Sequence, residues 1–436
     1  MSEKKLKWVM LQPLTGGMYI GTRNAVGHMP ECVISYPGFE QPVLDKNGNV
    51  KDGGNEYHLI EYLKKKNEMP DYYQFDRAPF QLDDDLNPQL LQNGQPVSTP
   101  SFADIDIVTA VPVCAGLSNA TSNATQEKKD ERNCNMLWLA KYALNTIKPK
   151  IYIFENAPTL VSERGAAIRQ QLEQIAIAAG YSVVYYKTDT KYHHNCQRRP
   201  RTFVYFIKHR NGQPHIPEFR YEHDSLTVEQ CLSEITPGST QQFTVDMGGV
   251  TNAVFMYITN KFGDGWRNIV GTGAIMAYII ENGLLDDFGE YIKNAADVSD
   301  RVKASVEYHI AHIKDKMAQG LGFYQLTPTI AAGDFMPACM FKTIGTALHH
   351  KEDRLYTIRE WLHVMGMPDD FEMQGDAKHN AHKIGQNVPA RTAQWIVSEA
   401  VRIVENWNDD TAADLFGEAQ TSNVALFDNT KMKRIY

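Results

Sequence analysis

The chain has 436 residues, a net charge of -8, and 43% hydrophobic against 22% charged residues. That composition excludes a wholly disordered chain, which pairs low hydrophobicity with high net charge. It also excludes a helical membrane protein, because no run approaches ~18 uninterrupted apolar residues. A chain-wide basic footprint for nucleic acid is absent too, although a local basic cleft is compatible with an acidic total.

Taken in chain order, Lys7 to Leu11 reads as a first buried strand, too short for a signal core and without a small-residue cleavage site. Glu56 to Lys66 carries helical spacing. Asp106 to Val111 is a β-branched run of the kind found in buried parallel strands. Asn135 to Ile147 is helical in pattern, Lys150 to Phe154 is a strand, and Ser162 to Ala179 is a helix that Gly180 closes. Tyr181 to Tyr186 and Thr202 to Ile207 complete the strands. This alternation predicts an α/β fold, a Rossmann-like and mostly parallel sheet.

After about Ile207 the regular alternation stops. Residues 208–348 read as a second, smaller and irregular domain without an internal repeat. Residues 349–436 return to order. There Ala393, Ile396, Val397, Ala400, Val401 and Val404 form one apolar helical stripe, expected to pack back on the α/β domain. The predicted organisation is therefore residues 1–207 and 349–436 as one domain, with 208–348 inserted.

The six cysteines show no CxxC spacing, so neither a disulfide framework nor a structural zinc site is indicated, and a cytoplasmic, reducing compartment is expected. The paired histidines at 193/194, 349/350 and 309/312 lack a complete ligand set, and no metal is expected. The chemistry concentrates at strand ends. Pro112-Val113-Cys114-Ala115-Gly116 follows the 106–111 strand, where open α/β sheets bind ligands. Glu155-Asn156 follows the next strand, close to Cys114 if the two strands are neighbours. Gln197-Arg198-Arg199-Pro200-Arg201 leads into the 202–207 strand, and alternation puts Arg199 and Arg201 on one face. Each has a plainer reading: a buried small thiol, a helix cap, a solvated basic turn.

Together these segments resemble the DNA (cytosine-5) methyltransferases. PVCAGLS is similar to the family's Pro-Pro-Cys loop, FENAP to its ENV motif and QRRPR to its Gln-x-Arg-x-Arg motif; Asp130 and Arg132 stand between the first two, ahead of a helix. Arg354 to Glu360 with Met367 to Phe371 is similar to a further family stretch. Ile384-Gly385-Gln386-Asn387-Val388-Pro389 resembles the G-N-A-V-P motif. Three departures concern the cofactor half. Of the family's glycine turn only Gly16 and Gly17 remain, Val33 to Pro37 lacks the usual acidic residue, and Gln386 stands where the family has Asn.

The resemblance implies a Rossmann-like methyltransferase domain with a target-recognition domain at 208–348. It implies Cys114 as nucleophile, Glu155 holding the cytosine ring, Asn156 positioning the loop, Arg201 on the base or a phosphate, and Arg199 supporting the cysteine loop. Gly16, Gly17, Asp76, Pro112 and Gln386 are the candidates for binding S-adenosylmethionine, or a modified analogue of it that delivers a larger group. Arg23 is the residue considered for an anionic group on such an analogue. A catalytically inactive DNA-binding homologue is the alternative of another class. The implied partner is double-stranded DNA with a flipped-out base, without a membrane. The expectation is a monomer in the cytoplasm of a bacterium or phage-infected cell, either solitary or in a restriction-modification system.

Overall fold

A computed structural model describes residues 5–79, 88–113, 117, 126–220, 224–235, 249–262, 272–319, 335–339, 349, 356–408 and 423–430. The first strand, β1 (Trp8–Leu11), leads into α1 (Gly17–Val26) and β2 (Cys32–Ser35). A small hairpin, β3 (Val43–Leu44) and β4 (Val50–Asp52), precedes α2 (Tyr57–Lys66), β5 (Tyr72–Phe75), β6 (Leu90–Gln92) and β7 (Gln95–Val97). The chain re-enters the sheet with β8 (Ile107–Ala110), α3 (Gln126–Tyr142), β9 (Ile151–Asn156), α4 (Ala166–Ala179) and β10 (Tyr181–Asp189). The short β11 (His193–Asn195) and β12 (Gln197–Arg198) then lead to β13 (Pro200–Lys208).

Ten strands form one sheet in the order β16-β10-β13-β9-β8-β1-β2-β5-β6-β7, where β16 is Val424–Asp428. The run β9-β8-β1-β2-β5 is parallel throughout. Strand β13 is inserted antiparallel between β9 and β10. All four residues of β1 and of β8 are buried, which is why these strands show no polar alternation. Trp8 and Met10 face a cluster shared with Tyr19, Ile396 and Val397, while Val9 and Leu11 face Leu139 and Leu172 on the other side. Successive residues of one strand thus serve both layers of helices. The predicted α/β fold with a mostly parallel sheet is the observed one.

From β1 the sheet order extends through β2 and β5 on one side and through β8 and β9 on the other. The order reverses at β1, so the carboxyl ends of β1 and β8 flank the crevice where open α/β sheets bind ligands.

Two sequence expectations need correction. Helix α3 begins at Gln126, so Asp130 and Arg132 lie within it rather than ahead of it. The described part of 208–348 is largely helical, not irregular. Beyond β14 (Asp224–Ser225) and α5 (Val228–Ser233) come α6 (Gly249–Phe262), α7 (Thr272–Glu281), α8 (Leu285–Asn294) and α9 (Asp300–Ala318). Val254, Ile258, Phe288, Ile292, Val306 and Ile313 close a third hydrophobic cluster there, separate from the two that flank the sheet. Strand β15 (Met336–Pro337) then pairs with β12.

The returning segment supplies α10 (Ile358–Val364), α11 (Ala377–Gln386) and α12 (Ala390–Glu405), then β16, parallel to β10. On α12, Ala393, Ile396, Val397, Ala400 and Val404 are buried as expected, Val401 of the same stripe is half-buried, and Tyr205 Oη donates to the Ile396 carbonyl at 3.0 Å. Among the described residues no helix is long and apolar enough to cross a membrane.

Candidate active site

Side chains with chemistry gather at the carboxyl edge of the sheet. The turn from β1 to α1 needs left-handed backbone at Gln12 (φ 48°), Leu14 (φ 51°) and Gly16 (φ 105°). Gly17 permits a close approach: its N–H donates to Asn387 Oδ1 at 2.9 Å, and a Cβ there would stand 1.8 Å from the Val388 carbonyl oxygen. The late motif therefore grips the glycine turn through Asn387, a residue that the sequence comparison passes over. Gln386 is exposed, with its amide 3.1 Å from His382 Nε2.

At the end of β2, Ser35 Oγ donates to Glu56 Oε1 at 2.5 Å, and Tyr72 Oη donates to Oε2 at 2.8 Å. An acid absent from Val33 to Pro37 thus reaches this strand end from the start of α2, but fully buried and with both oxygens engaged. Burial pushes the Glu56 carboxyl up to about 8, with the Ser35 and Tyr72 hydroxyls pulling it back. A carboxyl raised on folding holds its proton more tightly in the native state. Its contribution is complete below the ordinary value near 4.5 and is lost as pH rises toward 8. Urea midpoints are accordingly expected to fall between pH 5 and 8, and Glu56→Gln to flatten that fall. An unchanged slope in the variant would refute the assignment.

At the end of β8, Pro112 is buried and the Val113 N–H donates to Asn135 Oδ1 at 2.9 Å. Cys114 lies outside the described residues. Leu117, three positions later, is buried, and its carbonyl accepts from Thr159 Oγ1 at 2.5 Å.

Strands β8 and β9 are paired neighbours, with Ala110 opposite Phe154, so Glu155 stands at the level of the first residues after β8. Its carboxyl is buried, and Arg201 Nε lies 2.7 Å from Oε1. Burial raises the Glu155 carboxyl above its ordinary range, opposed by the charges of Arg201 and Arg199. Asn156 is fully buried and accepts the Ala157 N–H at 2.9 Å, which shapes the turn leaving the strand.

The predicted alternation is present: Arg198 and Pro200 are exposed, Arg199 is buried and Arg201 is half-buried. The two arginines nevertheless do different work. Arg199 donates Nη1 to the Cys339 carbonyl at 2.8 Å, and Nη2 to the carbonyls of Gly385 at 2.8 Å and Asn387 at 2.9 Å. Gln197 Oε1 in turn accepts the Cys339 N–H at 2.9 Å. One connected set of bonds thus joins the Gln-x-Arg-x-Arg segment, the late motif and the glycine turn. Among these contacts Arg199 serves as a clamp on the returning segment. Replacing it with Met removes the guanidinium donor from three main-chain carbonyls, and a loss of about 3–5 kcal/mol in unfolding free energy is expected by urea denaturation. Arg199→Lys is expected to recover only part of it, because one ammonium cannot match a planar fork.

Asp76 sits past β5, partly exposed, with its carboxylate 3.0 Å from Arg77 Nε. Arg23 lies in the last turn of α1, away from the carboxyl edge where that helix begins, and pairs with Glu68 at 2.5 Å. It therefore offers no receptor for an anionic group at this edge. Among the described residues no group of three or more His, Cys, Asp or Glu side chains is placed to hold a metal.

A polar ligand fits the crevice on one observation. Gln12 is fully buried at the end of β1, and both its amide atoms are without a hydrogen-bond partner among the described residues. Buried polar groups are seldom left so, and the unspent donor and acceptor suit a ligand rich in hydrogen-bonding groups.

A sequence profile of the family described as C-5 cytosine-specific DNA methylase matches residues 88–402. DNA (cytosine-5)-methyltransferase 3 of Arabidopsis thaliana is 19% identical over 336 residues, covering 69% of this chain and 23% of its own length. DNA (cytosine-5)-methyltransferase 2 of the same plant is 39% identical over 46 residues, 11% of this chain and 3% of that protein. The chain thus spans less than a quarter of the length of these relatives. Among solved structures, a prophage-encoded DNA modification methyltransferase of E. coli aligns over 92% of this chain and 99% of its own, at 16% identity and a TM-score of 0.48. The Entamoeba histolytica methyltransferase EhMeth aligns over 93% and 99%, at 11% identity and a TM-score of 0.48.

Proposed function

This chain belongs to the C-5 cytosine-specific DNA methylase family, and from that premise we propose that it methylates carbon 5 of a cytosine flipped out of double-stranded DNA. The observation that carries the reading is the buried Glu155–Arg201 pair at the end of β9, beside the strand whose loop bears Cys114. S-adenosylmethionine supplies, when bound, the sulfonium methyl group. Gly16 and Gly17 shape the turn beside it, with Gln12, Asp76 and Pro112 as the polar and apolar sides of its pocket.

Carbon 5 of cytosine is a weak nucleophile. The Cys114 thiolate adds to carbon 6, and the electron pair displaced toward carbon 5 makes that carbon reactive toward the methyl group. Carbon 5 would take the methyl group as its bond to the sulfonium breaks, leaving a neutral thioether, and loss of the carbon 5 proton to water would then break the Cys114 Sγ–carbon 6 bond and return the thiolate. Glu155 accepts from the exocyclic amine and, as the carboxylic acid, donates to the ring nitrogen as negative charge develops there on thiolate addition. Arg201 orients that carboxylate and contacts the base or a phosphate. The target base is out of reach inside a duplex, so it is extruded. Target choice falls to residues in 208–348, through groove contacts.

The reading is tested by incubating the protein with cytosine-containing duplex DNA and S-adenosylmethionine, digesting the DNA and weighing the nucleosides. A mass gain of one methyl group on deoxycytidine supports it. Unmodified nucleosides after DNA and donor binding have been verified by calorimetry would sink it and favour a binding protein of the same fold.

A further inference from the structure

We propose that Asn135 and Thr159 are positioning residues that tether the cysteine-bearing loop at both ends. The inference rests on the assignment of Cys114 as nucleophile. Asn135 Oδ1 accepts the Val113 N–H at 2.9 Å, and Thr159 Oγ1 donates to the Leu117 carbonyl at 2.5 Å. Three residues, Cys114, Ala115 and Gly116, lie between the tethered ones.

Each tether reaches a rigid element. Asn135 is fully buried on α3, and its Nδ2 donates to Tyr36 Oη at 2.8 Å. The Tyr36 ring is itself fixed against Phe75, with centroids 5.1 Å apart, and Trp138 at 6.5 Å. One anchor therefore connects the loop to the carboxyl end of β2. Thr159 lies in the single helical turn after β9, four residues past Glu155. The other anchor connects the loop to the strand end that carries the carboxylate. A buried amide at position 135 costs stability unless its bonds are made, and an apolar side chain fills such a site at no comparable cost. Asn135 spends its acceptor on the loop and its donor on Tyr36. The two anchors fix Val113 and Leu117, the described residues on either side of Cys114, relative to Tyr36 and to the strand end that carries Glu155. Misplacing reacting groups by about 1 Å costs on the order of 10²-fold in rate.

Thr159→Val removes the hydroxyl at nearly constant shape, Thr159→Ser restores it, and Asn135→Ala removes the other tether. Two readouts are taken on the full chain. One is the single-turnover transfer rate at saturating DNA and S-adenosylmethionine, with the donor Kd alongside. The other is alkylation of Cys114 by iodoacetamide, followed by mass spectrometry, which requires no transfer. Thr159→Val and Asn135→Ala are expected to lower the transfer rate about 10- to 100-fold, with the donor Kd within about threefold of the parent, and to change the alkylation rate at least about fivefold. Thr159→Ser is expected to return both rates to within about threefold. Parent-like alkylation in both disrupting variants overturns the proposal, and so does Thr159→Ser behaving as Thr159→Val. If Asn135→Ala does not fold, the two Thr159 variants decide alone. If the parent transfers no methyl group, the functional reading fails while the alkylation comparison still decides the tethers.

Discussion

Replacing Cys114 with Ala is expected to reduce cytosine methylation by about 10⁴-fold or more while leaving folding and donor binding unchanged. The size follows from the chemistry. Without a nucleophile at carbon 6 the ring keeps its aromatic character, and carbon 5 has no electron pair to offer; removing the nucleophile of a covalent mechanism leaves only what binding and electrostatics supply. Pro112 and Val113 are anchored on buried elements, so the change at 114 disturbs neither β8 nor α3. Mass analysis of digested DNA measures the product, and calorimetry with S-adenosylmethionine measures donor binding. A Cys114→Ala protein that methylates within tenfold of the parent would falsify the covalent route. Trapping on duplex DNA containing 5-fluorocytosine gives an independent check. That base has no proton to lose at carbon 5, so the parent is expected to remain attached and the variant to come free.

Much of this arrangement is legible in the amino-acid sequence, for reasons that also explain the gaps. The buried strands around β1, β8 and β9 announce themselves because both of their faces are covered, which leaves uninterrupted runs of Val, Ile and aromatic residues. Glu155 and the two arginines are legible as strand-end residues, and the pairing of β8 with β9 supplies the neighbourhood that the sequence leaves conditional. Asn387 is harder to read. Its role depends on a contact across 370 positions with Gly17, and the aligned letter beside it, Gln386, draws attention instead. Arg199 is readable as an inward-facing cation but not as a clamp, because its acceptors are main-chain carbonyls at 339, 385 and 387 that no side-chain pattern betrays. Glu56 occupies the end of β2 from a helix start twenty-one positions later. In the inserted region Leu285, Phe288 and Ile292 do carry helical spacing, as do Val306, Ile310 and Ile313. The charged residues between them dilute the stripe, and only the third hydrophobic cluster makes it plain.

The second large effect concerns the carboxylate. Glu155→Gln is expected to lower single-turnover methyl transfer by about 10²–10⁴-fold, the range of a positioned acid–base group. The substitution keeps the size and planarity of the side chain and removes its acidic proton. Arg201, whose side chain is only 16% exposed, then loses the partner 2.7 Å away that orients it. Glu155 is 6% exposed, so water does not replace the lost acid, and the negative charge that thiolate addition places on the ring goes without its proton donor. The pH dependence separates this role from a steric one. Burial lifts the Glu155 carboxyl above its ordinary range, with Arg201 and Arg199 opposing the lift. The protonated form that donates to the ring nitrogen is therefore retained to a higher pH than in an exposed glutamate. The alkaline limb that its ionisation adds to the parent's rate profile is expected above the ordinary carboxylate range, and the residual activity of Glu155→Gln to lack that limb. Transfer within threefold of the parent, or the same limb persisting in the variant, removes Glu155 from the chemistry and leaves the pair with Arg201 as a strand-end ion pair alone.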